Sequence, residues 1–345
     1  MEHLTRIADW LGVSVGVLGV MTGILLALVL GTIARFAHLH RLPPEKGRSL
    51  VLRLRSWWVI AVVVGVAILL GRTATILLIL VVSLLALREY VRLVPDDARD
   101  RCRSLAPWAI AATVLQYGWI WLGWEQVALV FLPVVAFLGL TLLVVLTRRP
   151  EGFLHVVGAV QWGMMLLVFC VSHVALLLAM PEATNPVGGV VGWFLFLVLL
   201  TELNDIAQAL WGRPLGRHKI IPEVSPGKSW EGLLGAAVTT AIAAVLLAPV
   251  LTPLADPPPA LEDTALAAWA EGWWIAPWPV AIALAISVAG FFGDIVISAL
   301  KRDAHVKDSG TLLPGQGGIL DRIDSLTFTA PLFYYVVQWL HGGTT

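Results

Sequence analysis

Charged residues gather in one stretch of this chain, residues 293–324, between two apolar segments. The stretch holds five aspartates, four Lys/Arg residues and a glycine-rich turn at 314–318. Asp294, Ser298 and Lys301 stand at i, i+4 and i+7, which places them on one face at the end of a predicted helix. Carboxylates, hydroxyls and cations therefore lie together, beside a backbone that can approach a ligand closely.

Asp321 and Asp324 begin the next predicted helix, where carboxylates also suit the positive end of the helix dipole. Carboxylates converging from two helix ends, with no His or Cys beside them, suit a hard cation such as Mg²⁺. The interleaved Lys/Arg residues suit a metal that is bound together with a polyphosphate. This pattern predicts phosphoryl or nucleotidyl transfer. The alternative is that these charges pair with one another and only close the ends of the apolar segments.

A second polar cluster lies upstream, in the Gly/Pro-rich connection 212–232. The sequence S-P-G-K-S at 225–229, just before a predicted helix, resembles an anion cradle of backbone N–H groups, hydroxyls and one cation. The G-x-x-x-x-G-K-[ST] spacing of a P-loop is absent. An ordinary basic loop at the membrane edge is the alternative. The side chains of this connection that can carry positive charge are Arg213, Arg217, His218, Lys219 and Lys228.

Polar residues also interrupt the apolar segment 188–211. Thr201, Asp205 and Gln208 share one helix face by their spacing. Acids inside a membrane are energetically costly and usually face a cavity or a partner, so we expect Asp205 to have a function. The alternative is a buried hydrogen-bond cluster between helices.

The amino-acid composition indicates in which class of protein these clusters occur. The chain has 345 residues, of which 58% are hydrophobic and 13% charged, and its mean hydropathy is +0.85. A soluble domain carries about 25% charged residues, and residues 126–147 contain none. Runs this long predict an all-α, polytopic transmembrane protein. We predict about ten spans: 12–35, 56–71, 73–90, 106–123, 125–147, 153–180, 188–211, 231–252, 274–300 and 322–341.

The distribution of positive charge predicts the orientation. With ten spans, 21 of the 23 Lys/Arg residues fall on one side, which is then the cytoplasmic side. All three polar clusters would face the cytoplasm, and both termini would be extracytoplasmic. We divide the chain into an N-terminal region of six spans, 1–180, and a catalytic transmembrane region, 181–345. Zero net charge gives no sign of a nucleic-acid partner.

The sequence SALKRDAHVKDSGTLLPGQGGILDRID, 298–324, resembles the signature of the phosphatidate cytidylyltransferases, or CDP-diacylglycerol synthases. That signature reads S-x-x-K-R-x4-K-D, then P-x-H-G-G-x-x-D-R-x-D. Every fixed position matches except one, where Gln316 replaces the histidine. Residues 205–232 are similar to a second block of the family, which begins D-T-G-A-Y. Here Asp205 is kept, but 206–208 replace T-G-A and Ala209 stands in place of the tyrosine.

The resemblance implies transfer of CMP from CTP to phosphatidic acid, with release of pyrophosphate and a requirement for Mg²⁺; a second cation is left open. It implies a metal centre at Asp294, Asp321 and Asp324. Further catalytic residues, which would neutralise phosphate charge or support the metal, would be Lys301, Arg302, Lys307, Asp308 and Arg322. Substrate contacts would come from Asp205, His218, Lys219, Ser225, Lys228, Ser298, Gln316, Gly317 and Gly318.

The implied partners are CTP, phosphatidic acid or a related phospholipid, membrane lipids and, as a family-level expectation, a second copy of the chain. The implied location is the inner (plasma) membrane of a bacterial-type cell.

One alternative function is that of a CTP-dependent enzyme with another lipid acceptor, similar to polyprenol or phytol kinases. Another is a lipid transporter with Asp205 as coupling group, or a paralogue that only binds lipid. The sequence shows no internal repeat of the kind many transporters have. The acceptor, the number of metals, the oligomeric state and the effect of Gln316 are left open.

Overall fold

The computed structural model describes residues 6, 8, 10–39, 43–146, 151–261, 264 and 277–341. Within these ranges the regular structure is helical, with two isolated β-bridges and no strand. The all-α prediction is therefore confirmed. The chain termini, the predicted connection 148–149 and the first residues of the predicted span 274–300 lie outside the described residues.

Eleven helices are used below. They are α1 (Val15–Leu39), α2 (Pro44–Leu69), α3 (Arg72–Leu93), α4 (Asp96–Trp121), α5 (Glu125–Leu146), α6 (Phe153–Ala179), α7 (Gly189–Leu215), α8 (Trp230–Leu251), α9 (Pro277–Asp303), α10 (Leu320–Ile323) and α11 (Leu326–His341). Two of them contain a π-helical turn, at Phe131–Ala136 in α5 and at Met165–Cys170 in α6.

Eight of these helices are long and apolar enough to cross a membrane, namely α1–α3 and α5–α9. They coincide with eight of the ten predicted spans. The span predicted at 106–123 lies in α4, which begins with the charged sequence DDARDRCR. The span predicted at 322–341 falls on α10 and α11, and α11 has 16 residues, about 24 Å of helix against a hydrocarbon core of about 30 Å. The count of ten and the extracytoplasmic termini remain predictions.

Local sequence explains several helix boundaries. Gly71 separates α2 from α3 and has a φ of 92°, a conformation that glycine adopts without steric cost. Pro44 stands in the first turn of α2, where the missing N–H is not needed. Ser229 caps α8, because its Oγ accepts a hydrogen bond from the N–H of Gly232 at 3.2 Å. Helix α8 therefore begins directly after the connection that carries the second polar cluster.

The two predicted regions share one core. The second half of α6, Val171–Ala179, is almost entirely buried and packs against α3, α4, α7 and α11. On the other side, α7 packs along α8, and α9 packs against α8 and α11. Helices from both sides of residue 180 therefore surround the polar clusters, although the division at that residue stays a prediction.

Candidate active site

The structure brings the two motif segments together. The Nζ atom of Lys228, in the connection before α8, lies 2.5 Å from Oδ2 of Asp294 on α9. The same ammonium donates to Oε1 of Gln208 on α7 at 2.6 Å. The hydroxyl of Ser325 donates to Oδ1 of Asp205 at 2.9 Å. Residues far apart in the sequence thus form one polar site at the ends of α7 and α9 and the start of α11.

Three carboxylates form the centre of this site, and we call Asp205, Asp294 and Asp324 the acidic cluster. Asp324 lies close enough to the other two for their charges to repel. Asp294 accepts a hydrogen bond from Ser298 at 3.1 Å. Lys228 is the cation in direct contact with Asp294, so three carboxyl groups share one ammonium group, and a further cation would favour their ionised forms.

Glycines on α9 allow the helices to come this close. A Cβ atom on Gly293 would lie 2.5 Å from the carbonyl oxygen of Asp324 and 3.0 Å from Cα of Ser325. A Cβ on Gly290, one turn earlier, would lie 3.3 Å from Nδ2 of Asn204. The Gly293-Asp294 pair therefore combines a close backbone crossing with a carboxylate that enters the acidic cluster.

Asp321 lies in a separate network next to the cluster. Its Oδ2 accepts hydrogen bonds from the N–H and hydroxyl of Ser309 and from the N–H of Gly318, each at 2.9 Å. Its Oδ1 accepts one from Nζ of Lys301 at 2.7 Å. Gly317 has a φ of 92°, and a Cβ there would lie 2.5 Å from Asp321 Oδ2. Asp321 thereby holds the loop 304–319, which we call the signature loop.

These contacts decide the charge of Asp321. Burial raises the pKa of this carboxyl, but the hydrogen bonds from Lys301 and from the Gly318 and Ser309 N–H groups outweigh it, so the pKa lies below its usual value. Asp321 is therefore ionised at neutral pH. Both oxygens of this carboxylate have partners, since Oδ1 accepts from Lys301 and Oδ2 from Ser309 and Gly318.

Glu89 is a site residue that the sequence reasoning missed. It lies buried on α3, and its Oε2 accepts a hydrogen bond from the N–H of Leu320 at 3.0 Å. The hydroxyl oxygen of Ser309 lies 3.2 Å from the same Glu89 oxygen and 2.9 Å from Oδ2 of Asp321, and its one proton is shared between these two carboxylates. A Cβ atom on Gly318 would lie 2.2 Å from Oε2 of Glu89. The signal was present, because Glu89 is the one acid in the apolar sequence of α3. In the sequence, Glu89 falls within the predicted span 73–90, for which no functional role is predicted.

Gln316 lies against the N-terminal helices. Its Nε2 donates to the carbonyl oxygen of Arg53 on α2 at 2.9 Å. Arg53 Nε donates back to the carbonyl of Gly315 at 3.1 Å, and Ser56 donates to the carbonyl of Pro314 at 2.9 Å. The residue that replaces the family's histidine therefore attaches the glycine-rich turn to α2. Among the described residues, its Oε1 is buried without a hydrogen-bond partner.

The remaining predicted residues lie at the rim. Nδ1 of His218 is 2.6 Å from Oε1 of Glu231, and Arg302 donates to the carbonyl of Val224 at 3.2 Å. In the predicted anion cradle, the N–H groups of Ser225 and Lys228 donate hydrogen bonds to carbonyl oxygens of the same connection. Arg322 is half-buried, with an Nε that has no hydrogen-bond partner in the described part of the chain. His218 and Arg302 are exposed, and so are Lys219, Lys307 and Asp308.

The acidic cluster has donor groups that suit a metal ion, but the described residues are not arranged as a complete coordination site. Within the described ranges, no group of three or more His, Cys, Asp or Glu residues is arranged so that it could hold a metal ion. The acidic cluster nevertheless offers what Mg²⁺ prefers, because its donors are carboxylate oxygens beside the hydroxyls of Ser298 and Ser325. Oδ2 of Asp205 and Oδ2 of Asp324 accept no hydrogen bond from another described residue.

Comparison with known proteins assigns most of this chain to one family. Residues 51–340 match the model of the cytidylyltransferase family. The chain is 42% identical over 312 residues to YnbB, an uncharacterized protein of Escherichia coli K12, covering 90% of this chain and 95% of that protein. It is 35% identical over 167 residues to a phosphatidate cytidylyltransferase of Brucella suis, covering 48% of this chain and 54% of that enzyme. It is 36% identical over 140 residues to that of Staphylococcus saprophyticus, covering 41% and 46%. The match thus spans about half the length of these two enzymes, whereas the family model covers most of the chain. The chain belongs to the cytidylyltransferase family.

Proposed function

We propose that this protein transfers CMP from CTP to phosphatidic acid, forming CDP-diacylglycerol and pyrophosphate at the cytoplasmic face of the inner membrane. The observation that carries the proposal is the contact between Lys228 and Asp294 at 2.5 Å. It joins two segments that match separate blocks of the phosphatidate cytidylyltransferase sequence pattern. A cation and an acidic cluster therefore stand side by side at the end of a membrane helix.

The proposed reaction requires little covalent chemistry from the side chains of the protein. An oxygen of the lipid phosphate attacks the α-phosphorus of CTP, a new P–O bond forms, and the bond between the α-phosphorus and the bridging oxygen of pyrophosphate breaks. The phosphate of the acceptor is already anionic, so no strong general base is required. Catalysis then depends on positioning and on neutralising charge, which are roles for Lys228 and Lys301.

Mg²⁺ is part of the proposal, with Asp294 and Asp324 as its main ligands and Asp205 beside them. These carboxylates repel one another, and a cation would relieve that repulsion. When bound, the ion would stabilise negative charge on the reacting phosphates. Asp321 contributes in another way, because its contacts fix Lys301 and the signature loop next to the cluster.

The position of the site suits a lipid acceptor and a soluble donor. The acidic cluster lies at the ends of α7 and α9, two candidate membrane spans, beside connections rich in Lys/Arg. The positive-inside rule places such connections in the cytoplasm, where CTP is available. Phosphatidic acid would reach the same level from the headgroup region of the bilayer.

A labelled-nucleotide assay tests this proposal. Purified protein in detergent is given Mg²⁺, phosphatidic acid and CTP labelled at the α-phosphate, and lipid-linked label is measured. We expect labelled lipid with the wild type and loss of at least ~100-fold with Asp294→Asn or Asp324→Asn, about 2.7 kcal/mol of transition-state stabilisation. Asp303→Asn is the matched control, since Asp303 is an exposed acid at the end of the same helix, and it should retain activity.

Two further arms separate the alternatives. CTP labelled at the γ-phosphate would transfer label only if the protein is a lipid kinase. A panel of other lipid phosphates tests whether the acceptor differs from phosphatidic acid. No lipid-linked label from either nucleotide, with any acceptor, would overturn the assignment of a CTP-dependent transferase.

A further inference from the structure

A cavity of about 500 Å³ lies among α3, α4 and α6, apart from the acidic cluster. Its walls are mainly aliphatic, and its volume lies in the range of ordinary ligand sites. The π-helical turn of α6 begins directly after Met164, one of the lining residues; such turns occur frequently at functional sites. The apolar lining comprises Leu84, Leu85, Leu87, Val91, Leu105, Ala106, Ala109, Ile110, Val160 and Met164.

Close packing of α3 against α6 forms one side of the cavity. The hydroxyl of Tyr90, a lining residue, donates to the carbonyl of Ala159 at 2.7 Å. A Cβ atom on Gly163 would lie 2.5 Å from the Tyr90 ring, and that ring lies 5.5 Å from the ring of Trp162. This side is fixed by a hydrogen bond and by ring contacts, so the cavity is a built feature of the helix packing.

Three arginines, Arg88, Arg92 and Arg103, also line the cavity, whose lining contains no acidic residue. All three side chains are exposed. Arg103 lies 3.4 Å from the exposed Asp100, an ion pair of little strength. Within the described part of the chain, Arg88 and Arg92 form no side-chain ion pair. The cavity therefore combines an aliphatic interior with up to three positive charges at one end.

We propose that this cavity binds an anionic phospholipid, with an acyl chain against the aliphatic lining and the phosphate on the three arginines. Two of its walls, α3 and α6, are candidate membrane spans, so a lipid can enter from the bilayer. Basic pockets between membrane helices on the cytoplasmic side bind acidic headgroups, and guanidinium groups bind phosphate with two parallel hydrogen bonds. A small soluble anion would leave the aliphatic lining without a partner.

The site is connected to the signature loop through one helical turn. Glu89 stands between the first two arginines of the cavity on α3, and it accepts the hydrogen bond from the N–H of Leu320. A lipid held by Arg88 and Arg92 therefore contacts the helix that fixes the signature loop. The inference goes beyond the proposed transfer reaction and does not depend on it.

Lipid binding to the full-length protein tests this site. Native mass spectrometry of the purified protein measures binding of phosphatidylglycerol, an anionic lipid that is not the proposed acceptor, and of zwitterionic phosphatidylcholine. We expect binding of phosphatidylglycerol to the R88A/R92A/R103A variant to be weaker by roughly 100-fold, from three lost arginine–headgroup attractions. The R35A/R48A/R55A variant removes three exposed arginines outside the cavity and should bind as the wild type does.

A second variant tests the acyl-chain part. Ala109→Trp places a large side chain in the cavity without changing the charge, and it should also abolish tight binding of phosphatidylglycerol. A phosphatidylglycerol with a photoreactive acyl chain should cross-link to α3, α4 or α6, and thermal melting of each variant verifies that it is folded. Equal affinity of the arginine variant and the wild type, equal affinity for phosphatidylcholine, or cross-links confined to other helices would each overturn the proposal.

Discussion

Replacing Glu89 by alanine isolates the contact between α3 and the signature loop. Glu89 accepts a hydrogen bond from the N–H of Leu320 at 3.0 Å and shares the proton of the Ser309 hydroxyl, 3.2 Å away, with Asp321. In Glu89→Ala, the hydroxyl of Ser309 still donates to Asp321 at 2.9 Å. The N–H of Leu320 is buried and loses its partner, so one unsatisfied donor is the main consequence.

An unsatisfied buried donor costs about 1–3 kcal/mol, so Glu89→Ala should lower the free energy of unfolding by about that amount. Glu89→Gln keeps an acceptor oxygen but loses the charge. Because hydrogen bonds to a charged acceptor are about twice as strong as neutral ones, this variant should lose only about 1 kcal/mol. Transferase activity should fall more in Glu89→Ala than in Glu89→Gln, since the signature loop beside Asp321 and Lys301 becomes less well fixed.

Equilibrium unfolding in mixed micelles, followed by circular dichroism, measures both changes. Glu182→Ala is the control, because Glu182 is an exposed glutamate in the connection before α7 and should change the free energy of unfolding by less than about 0.5 kcal/mol. If both Glu89 variants unfold at the wild-type free energy, the contact does not hold the loop. If alanine and glutamine cost the same, the negative charge rather than the acceptor oxygen is what Glu89 contributes.

Three further substitutions test the site. Lys228→Met leaves the carboxylate of Asp294 without its cation, and it should lower the free energy of unfolding by about 3 kcal/mol and abolish transferase activity. Gly293→Ala places a Cβ 2.5 Å from the carbonyl of Asp324, and overpacking of this kind should cost about 1–3 kcal/mol in the same unfolding measurement. Gln316→His should change the transfer rate by less than about tenfold, because this side chain bonds to the backbone of α2.

Each of these variants has a control or a result that contradicts it. Lys219→Met removes an exposed lysine from the same connection as Lys228 and should leave the free energy of unfolding unchanged. Gly139→Ala adds a Cβ where no atom lies within 4 Å and should stabilise α5 slightly through helix propensity. Destabilisation by Gly139→Ala equal to that by Gly293→Ala would contradict the crossing argument. A gain of much more than tenfold in Gln316→His would show that residue 316 acts on the chemistry.

Much of this protein could be predicted from local sequence. Long apolar runs can be recognised from the local sequence alone, because the energetic cost of placing charge in a bilayer acts on each segment separately. The eight candidate spans, the break at Gly71 and the residues of both motif blocks were all available in this way. The total span count does not follow in the same way, because α4 begins with charged residues and α11 has only 16 residues.

The tertiary structure decided which of those residues meet. Glu89 and Leu320 are 231 positions apart and Gln316 and Arg53 are 263 apart, and no local periodicity links them. The sequence indicated that Asp294, Asp321 and Asp324 belong to one site. The structure separates Asp294 and Asp324 in the acidic cluster from Asp321 on α10, which contacts the signature loop. Such distinctions depend on how helices cross and on which donors reach each oxygen, and those are properties of the packed molecule.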